Sequence, residues 1–401
     1  EGTTSWSSNH LENSSISELD ADMMIHKEVL AVAVDLILPD DLLERILGYL
    51  PIASIFRVGS VCKRWNDVVS SKRFLWYRAD VPPEKPWYFM FTSSDEPLGY
   101  AYNPIPKKWY SFDLPFIKTS NWFIASSAGL VCFMDNDSRS RLCVCNPITR
   151  SCRDLDEPPG PKSSDYSALG FSVDRSKNEY SVSVVKSKQV PGNFFQWELS
   201  IHLYDSGSGS WITSLTEVLS GWRGGDESVI CGGALHFLIF STGGTAAENR
   251  HALIRYDLTG GTVPHQVGVL MESFIPVPCS LTCGRLMNLN EMLIMVGGRG
   301  KSDRPDIIVG ISIWSLRGRE WEEIGRMPHK YFQGFGELDE VFASSGSDDL
   351  IYIHSYGAPA LLVFDVYQKQ WKWSQKCPVP KRFPLQLFTG FCFQPRLEIS
   401  P

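Results

Sequence analysis

The sequence predicts a multidomain α+β chain, with a small helical module preceding an all-β propeller of six blades, or of seven as the alternative. Three observations carry that expectation. Between residues 36 and 77, leucine-type residues recur at helical spacing. Past residue 85 the pattern changes to short β-branched and aromatic runs broken by Gly, Asn, Asp and Pro. Those runs repeat one turn-and-aromatic pattern at intervals of about 50 residues.

Composition narrows the class. The 401 residues are 43% apolar and 21% charged, a globular balance, and 13 tryptophans with 32 glycines suit a turn-rich β architecture. The net charge of −7 offers no basic surface, so neither nucleic acid nor an anionic membrane is expected as a partner. Residues 1–35 hold seven acids and one lysine with few aromatics, and read as an acidic disordered leader. The chain opens on Glu1 rather than Met, as a fragment would. The apolar run 29–38 is interrupted by Asp35 and falls short of the ~20 residues a spanning helix needs. No secretory pattern precedes it. The expected location is the nucleus, the cytoplasm or both, with the ten cysteines reduced.

The first helix is expected from Pro39 onward. Leu42, Leu43, Ile46, Leu47 and Leu50 follow helical spacing, and Asp40 and Asp41 suit the first turn. Pro51 ends that helix. A second helical segment runs from Ile55 to Asn66, and Val68, Val69, Phe74, Leu75 and Trp76 follow. This module, residues 36–77, has more large apolar residues than about 40 residues can enclose. The surplus either docks on the neighbouring domain or forms a surface for another protein. Residues 78–84 read as a linker and 85–401 as the propeller.

The order Leu38-Pro39, Leu42-Leu43, Ile46, Leu50-Pro51, Val61-Cys62-Lys63-Arg64-Trp65 and Phe74-x-Trp76 resembles an F-box. That resemblance implies a three-helix module binding the Skp-family adaptor, and through it the cullin and RING subunits, of a ubiquitin ligase. It implies adaptor contacts at Leu38, Pro39, Leu42, Leu43, Ile46, Leu50 and Pro51. Val61, Cys62, Trp65, Phe74 and Trp76 would form the core of the module.

In the propeller region, an apolar or aromatic residue precedes Asn or Asp, and an aromatic follows six positions on. Asn103 leads to Trp109, Asp205 to Trp211 and Asp365 to Trp371. Ser315 leads to Trp321 with serine in the turn, while Asn146 to Cys152 and Asp257 to Val263 are degenerate copies. The Asx side chain would close a turn and the large residue begin the return strand, filling the gap between blades. With strands such as 129–133, 233–240, 290–296 and 349–353 before the turns, each unit holds about four strands, as a propeller blade does. The copy with Gly297-Gly298, Trp314 and Trp321 resembles the kelch repeat; the others lack the glycine doublet or the tryptophan. Residues 385–393 are expected to pair with the first blade near 87–91, closing the ring. Taken whole, residues 36–401 are similar to plant F-box/kelch-repeat proteins, on the segments 50–57, 186–197, 279–288 and 332–336 as well as the motifs above.

Catalytic signatures are missing from the sequence. Residues 297–302 imitate a phosphate loop, but Met295 stands where a glycine is required and Pro305 blocks the following helix. Cys143-x-Cys145 and Cys279-x₃-Cys283 lack the Cys-x₂-Cys spacing of common zinc sites, and the eight histidines are scattered. Cys132, Cys143, Cys145, Cys231 and Cys392 read as small core residues. No catalytic residue, metal or cofactor is expected. Candidate contacts for a protein substrate lie in 186–197, 220–227 and 299–304, with Tyr331, Phe332 and Gln333: Lys186, Lys188, Arg299, Arg304, and first Trp222 and Arg223, which flanking glycines leave little to pack on. The expected function is the substrate-recognition subunit of a Skp–cullin–F-box ubiquitin ligase. A scaffold that binds the adaptor without delivering a substrate is the alternative, and a propeller oxidoreductase with Tyr, Cys and His ligands a remoter one.

Overall fold

The computed structural model describes residues 38–92, 99–111, 113–114, 122–243, 250–258, 268–335, 342–379 and 387–401. The acidic leader and the return from Asp257 to Val263 lie outside the described residues. Residues 40–79 fold into α1 (Asp40–Gly48), α2 (Ile52–Gly59), α3 (Lys63–Val69) and α4 (Lys72–Ala79). Pro39 precedes α1, whose first turn carries Asp40 and Asp41 at the positive end of the helix dipole. Pro51 likewise precedes α2. The segment expected as one helix from Ile55 to Asn66 breaks at residues 60–62, so the module has four helices rather than three. A cap is the cause: Cys62 is extended, and its Sγ accepts a hydrogen bond from the Trp65 amide at 3.4 Å. Ser71 caps α4 in the same way, accepting from the Phe74 amide at 3.1 Å.

Leu43, Leu47, Ile52, Ile55, Val68 and Phe74 form the interior of the module, continuous with Trp87, Phe89, Val131 and Phe133 of the sheet region. Polar contacts reinforce the junction. The Arg78 guanidinium donates to the carbonyls of Gly48 and Leu50, and Glu84 accepts from the Ile52 amide. The module therefore sits on the propeller as one packed body, and part of the apolar surplus is used there.

Six four-stranded units follow. From the innermost strand outward, blade 1 is Phe388–Phe393, Trp87–Thr92, Gly99–Asn103 and Lys108–Ser111. Blade 2 is Trp122–Ser127, Leu130–Asp135, Leu142–Cys145 and Cys152–Leu155; blade 3 is Tyr166–Asp174, Glu179–Gln189, Gln196–Asp205 and Ser210–Ser220. Blade 4 is Trp222–Cys231, Ala234–Ser241, His251–Asp257 and Phe274–Pro276; blade 5 is Leu281–Leu289, Met292–Gly300, Ile308–Arg317 and Glu320–Arg326. Blade 6 is Ala343–Ser347, Leu350–His354, Leu362–Asp365 and Gln370–Trp373. Within each blade the pairings are antiparallel, while Glu227 and Leu169 pair in parallel and join blades 3 and 4 into one eight-stranded sheet. Inner strands touch their neighbours around the whole ring. The last strand closes it, from Trp87 opposite Phe393 to Thr92 opposite Phe388.

The turn repeat has a common geometry. Asn103 Oδ1 accepts from the Ile105 amide, Asn146 Oδ1 from Ile148, Asp205 Oδ2 from Ser208 and Asp365 Oδ1 from Gln368, at 2.8 to 3.1 Å. Four residues after each Asx, the backbone enters the left-handed region, at Lys107, Arg150, Gly209 and Lys369. The large residue then stands opposite the residue before the Asx, as Tyr102 faces Trp109 and Phe364 faces Trp371. Blade 5 departs from this. Ser315 is buried within a strand, and the chain reverses in a two-residue turn at Gly318 and Arg319, with Gly318 in the left-handed region, so Trp321 faces Leu316 rather than Trp314.

Three of the tryptophans tie blades together. The indole N–H of Trp109 donates to the Gln375 carbonyl after the outer strand of blade 6, Trp211 to Asp156 after that of blade 2, and Trp321 to Pro276 at the end of that of blade 4, at 2.8 to 2.9 Å. Trp371 packs on Phe364 at 4.5 Å between ring centroids, in the apolar cluster shared by blades 5 and 6. The doublet Gly297-Gly298 lies in a strand, where a Cβ on Gly297 would come within 2.8 Å of Trp314. Among the described residues, no helix is long and apolar enough to cross a membrane.

Candidate functional site

Strand order assigns every connection to one of two faces. Because each blade alternates direction, the turns joining its first to second and third to fourth strands emerge on one face. Connections from second to third strand, and from blade to blade, emerge on the other. The helical module sits on the first face. Ile148, in a turn of blade 2, belongs to its apolar cluster, and Lys85 in the linker pairs with Asp348 and Asp349 in a turn of blade 6. The C-terminal segment braces this seat, where Asn146 Nδ2 donates to the Arg396 and Ile399 carbonyls at 3.0 and 2.8 Å.

α1 has two apolar faces. Leu43 and Leu47 are buried in the junction, while Leu42, Ile46 and Tyr49, at i, i+4 and i+7, are 43%, 52% and 69% exposed. Pro39 and Pro51 are exposed beside them, and Leu38 and Leu50 are half-buried. Leu38 is held by Arg64, whose guanidinium donates to its carbonyl at 2.6 Å and pairs with Asp40 at 2.7 Å. Leu43 is thus a core residue rather than an exposed contact for the adaptor: neighbouring helix positions point about 100° apart, and α1 turns Leu43 inward while Leu42 stays outside. Val61 and Trp76 are corrected in the opposite sense. Read as core, they are 49% and 79% exposed, whereas Phe74 is fully buried and Trp65 packs against the core. The break at 60–62 carries Val61 outside, and Phe74 takes the inward position of α4.

The loops singled out in the sequence all belong to the opposite face, but the residues chosen in them fare unequally. Lys186 is 3% exposed, and its ammonium donates to the carbonyls of Pro158, Pro159 and Pro161. Proline carries no N–H, so this loop needs donors from outside, and Lys186 is a structural strut rather than a substrate contact. Burial lowers its pKa against the raising influence of Glu157. Lys186→Met should cost about 2 kcal/mol of stability by leaving those carbonyls unpaired; an unchanged denaturant midpoint would refute this role.

Trp222 and Arg223 also have partners. Trp222 packs edge-on to Phe274 at 5.3 Å, and the Arg223 guanidinium lies over Tyr166 at 3.7 Å and Phe240 at 4.7 Å. The expectation that their glycines leave them little to pack on fails, because Gly224 and Gly225 admit Ser187 and Phe240 closely. Lys188 is a half-buried strand residue opposite Glu198, and Arg299 packs along Gly310. Arg304 is exposed in the blade 5 loop, near Asp306 at 3.8 Å. Residues missed by the sequence reading are Phe194 and Phe195, 78% and 61% exposed in the connection between the second and third strands of blade 3. Their signal was available. Adjacent aromatics beside the Gly192-Asn193 turn cannot both enter a core that alternate strand positions face.

A central channel of about 1090 Å³ runs between the inner strands. In its wall Arg285 Nη1 meets Glu227 Oε1 at 2.6 Å, Arg285 Nε donates to the Phe342 carbonyl and Nη2 to the Tyr356 hydroxyl at 3.2 Å. Burial raises the Glu227 pKa, and Arg285 opposes that rise. Buried histidines lie apart in blades 3, 4 and 6: burial holds His202, His236, His251 and His354 at about 4, so they are neutral.

The comparisons bear on both halves. Residues 36–82 match an F-box-like family model, and residues 114–286 match the F-box associated beta propeller domain. F-box/kelch-repeat protein At3g61590 of Arabidopsis thaliana is 64% identical over 377 residues, covering 92% of this chain and 91% of that protein. The chain belongs to the plant F-box/kelch-repeat family. More distant relatives span the same two parts of this F-box/kelch-repeat chain. SKP1-interacting partner 15 of Arabidopsis thaliana is 26% identical, covering 91% of this chain and 98% of its own. Protein UNUSUAL FLORAL ORGANS, from the same plant, is 24% identical, covering 85% and 78%. In this chain the F-box-like match falls on the helical module and the F-box associated beta propeller match on blades 2 to 5.

Proposed function

We propose that this F-box/kelch-repeat protein is a non-catalytic substrate receptor of a Skp–cullin–F-box ubiquitin ligase, acting in the nucleus, the cytoplasm or both. The exposed stripe Leu42, Ile46 and Tyr49 takes the Skp-family adaptor, and the opposite face of the propeller holds the protein to be ubiquitinated. One observation supports the reading most: the helical module and the loops bearing Phe194, Phe195 and Arg304 occupy opposite faces of one packed body. A relative's name, SKP1-interacting partner 15, supports the adaptor side. Inner strands of 5 to 10 residues separate the faces by roughly 17–33 Å. A target held there is presented away from the adaptor, and the chain contributes proximity while other subunits supply the chemistry.

Leu42→Asp with Ile46→Asp should weaken adaptor binding at least about thirtyfold while the melting curve stays unchanged, since both side chains are exposed. Undiminished adaptor capture would overturn the docking surface. The same variant, used as bait, should retain undegraded partners that are lost on further changing Phe194→Ala and Phe195→Ala. Partners that accumulate on proteasome inhibition mark a receptor; partners that do not mark the scaffold alternative.

A further inference from the structure

We propose that Cys143, Cys152 and Asp154, with Cys145 beside them, form a binding site for a divalent cation of the zinc class on the outer hairpin of blade 2. The sequence reading discounted these cysteines because no Cys-x₂-Cys spacing is present along the chain. Strand register supplies what chain spacing does not. The third and fourth strands of blade 2 pair Cys143 with Asp154 and Cys145 with Cys152. Alternate residues share a face of a strand, so all four side chains rise from one side of the hairpin. Leu142 and Val144 point to the other side, into the apolar cluster with Leu130 and Cys132.

The ligand atoms converge. One sulfur from Cys143, one from Cys152 and a carboxylate oxygen of Asp154 all lie within 4.8 Å of one another. Zinc–sulfur bonds are about 2.3 Å and zinc–carboxylate bonds about 2.0–2.2 Å, so a tetrahedral ion needs its ligand atoms at such separations. Two thiolates and a carboxylate favour a borderline-soft ion over calcium or magnesium, which take oxygen ligands. Cys143 is buried while Cys152 and Asp154 are exposed, giving the site a firm floor and an open approach. A water molecule can complete the set, since the Cys145 thiol donates to the Val131 carbonyl at 3.5 Å. An ion here would tie down the short outer strand Cys152–Leu155, three of whose four residues are exposed. It would act beside the seat of the F-box, since Cys143 and Cys145 belong to the cluster that the helical module enters.

The test titrates the full chain, kept reduced with a phosphine, with Co²⁺ and then Zn²⁺. One equivalent of Co²⁺ should give thiolate-to-metal charge-transfer absorption that Zn²⁺ displaces, together with a rise in melting temperature. Cys152→Ser and Asp154→Asn, both exposed and expected to fold, should each lower the affinity tenfold or more, whereas Cys279→Ser, outside the cluster, should not. Absorption that persists unchanged in Cys152→Ser, or absence of saturable binding in the reduced chain, overturns the proposal. So does protection of Cys143 and Cys152 from alkylation only after peroxide treatment, which would mark a disulfide pair instead.

Discussion

Deleting residues 388–401 should abolish cooperative unfolding of the propeller. The strand Phe388–Phe393 is the innermost of blade 1, yet every partner it has in that blade lies at the other end of the chain. Without it, Trp87–Thr92 becomes an open edge facing the channel. Phe391 and Phe393 are almost wholly buried in the cluster shared with the F-box. Losing two buried phenylalanines removes about 3–5 kcal/mol each, comparable to the whole 5–15 kcal/mol by which a domain is ordinarily stable. Asn146 also loses its two carbonyl acceptors, and the module its brace. Calorimetry of the truncated chain should show no sharp transition. A midpoint within a few degrees of the intact chain would mean that the ring does not depend on its last strand.

Arg285→Met should destabilise the ring by about 3 kcal/mol, with a loss that shrinks as pH falls. Arg285 and Glu227 are 13% and 19% exposed in the channel wall, so the lower part of the range for breaking a buried pair applies. Removing the guanidinium leaves Glu227 with one donor, the Leu286 amide at 3.1 Å. The sign follows from the raised pKa of Glu227: its folded form takes a proton more readily than its unfolded form. A group of this kind favours folding below its unfolded pKa and loses that contribution as pH rises through its folded pKa. Without Arg285 the folded pKa climbs further, so the variant should recover stability on acidification through that window. Glu227→Gln combined with Arg285→Met should restore part of the loss at neutral pH. Denaturant unfolding from neutral to acid checks both expectations; a pH-independent loss would show that packing, not charge, accounts for it.

Much of the fold was legible because its information is local. Pro39, Pro51 and the spacing of Leu42 to Leu50 mark a helix by backbone chemistry alone. The turn repeat is equally local: an Asx acceptor, a left-handed residue four positions on and a large residue six positions on all act within one hairpin. Blade 5 departs from the repeat because its third strand runs on to Arg317 and reverses at Gly318, so the position six before Trp321 is a strand residue rather than a turn residue.

Residue roles were legible only where they followed from local rules. The F-box resemblance places Trp76 in the core, but no residue count reveals which way α4 turns against α1. Lys186 looked like a solvent-facing cation, and only the proline-rich loop folded over it explains its burial. The Arg285–Glu227 pair stands 58 positions apart in the chain, and only ring closure brings its two inner strands together.

By itself, then, the sequence determined a helical module with more apolar surface than it can bury, and a β repeat of fixed turn chemistry. Tertiary structure decided which apolar residues remain outside, which loops share a face, and that Cys143, Cys152 and Asp154 meet. The reason is physical. Helix period and turn geometry act over a few residues, whereas faces, register across a hairpin and ring closure are set by pairings as distant as Trp87 with Phe393.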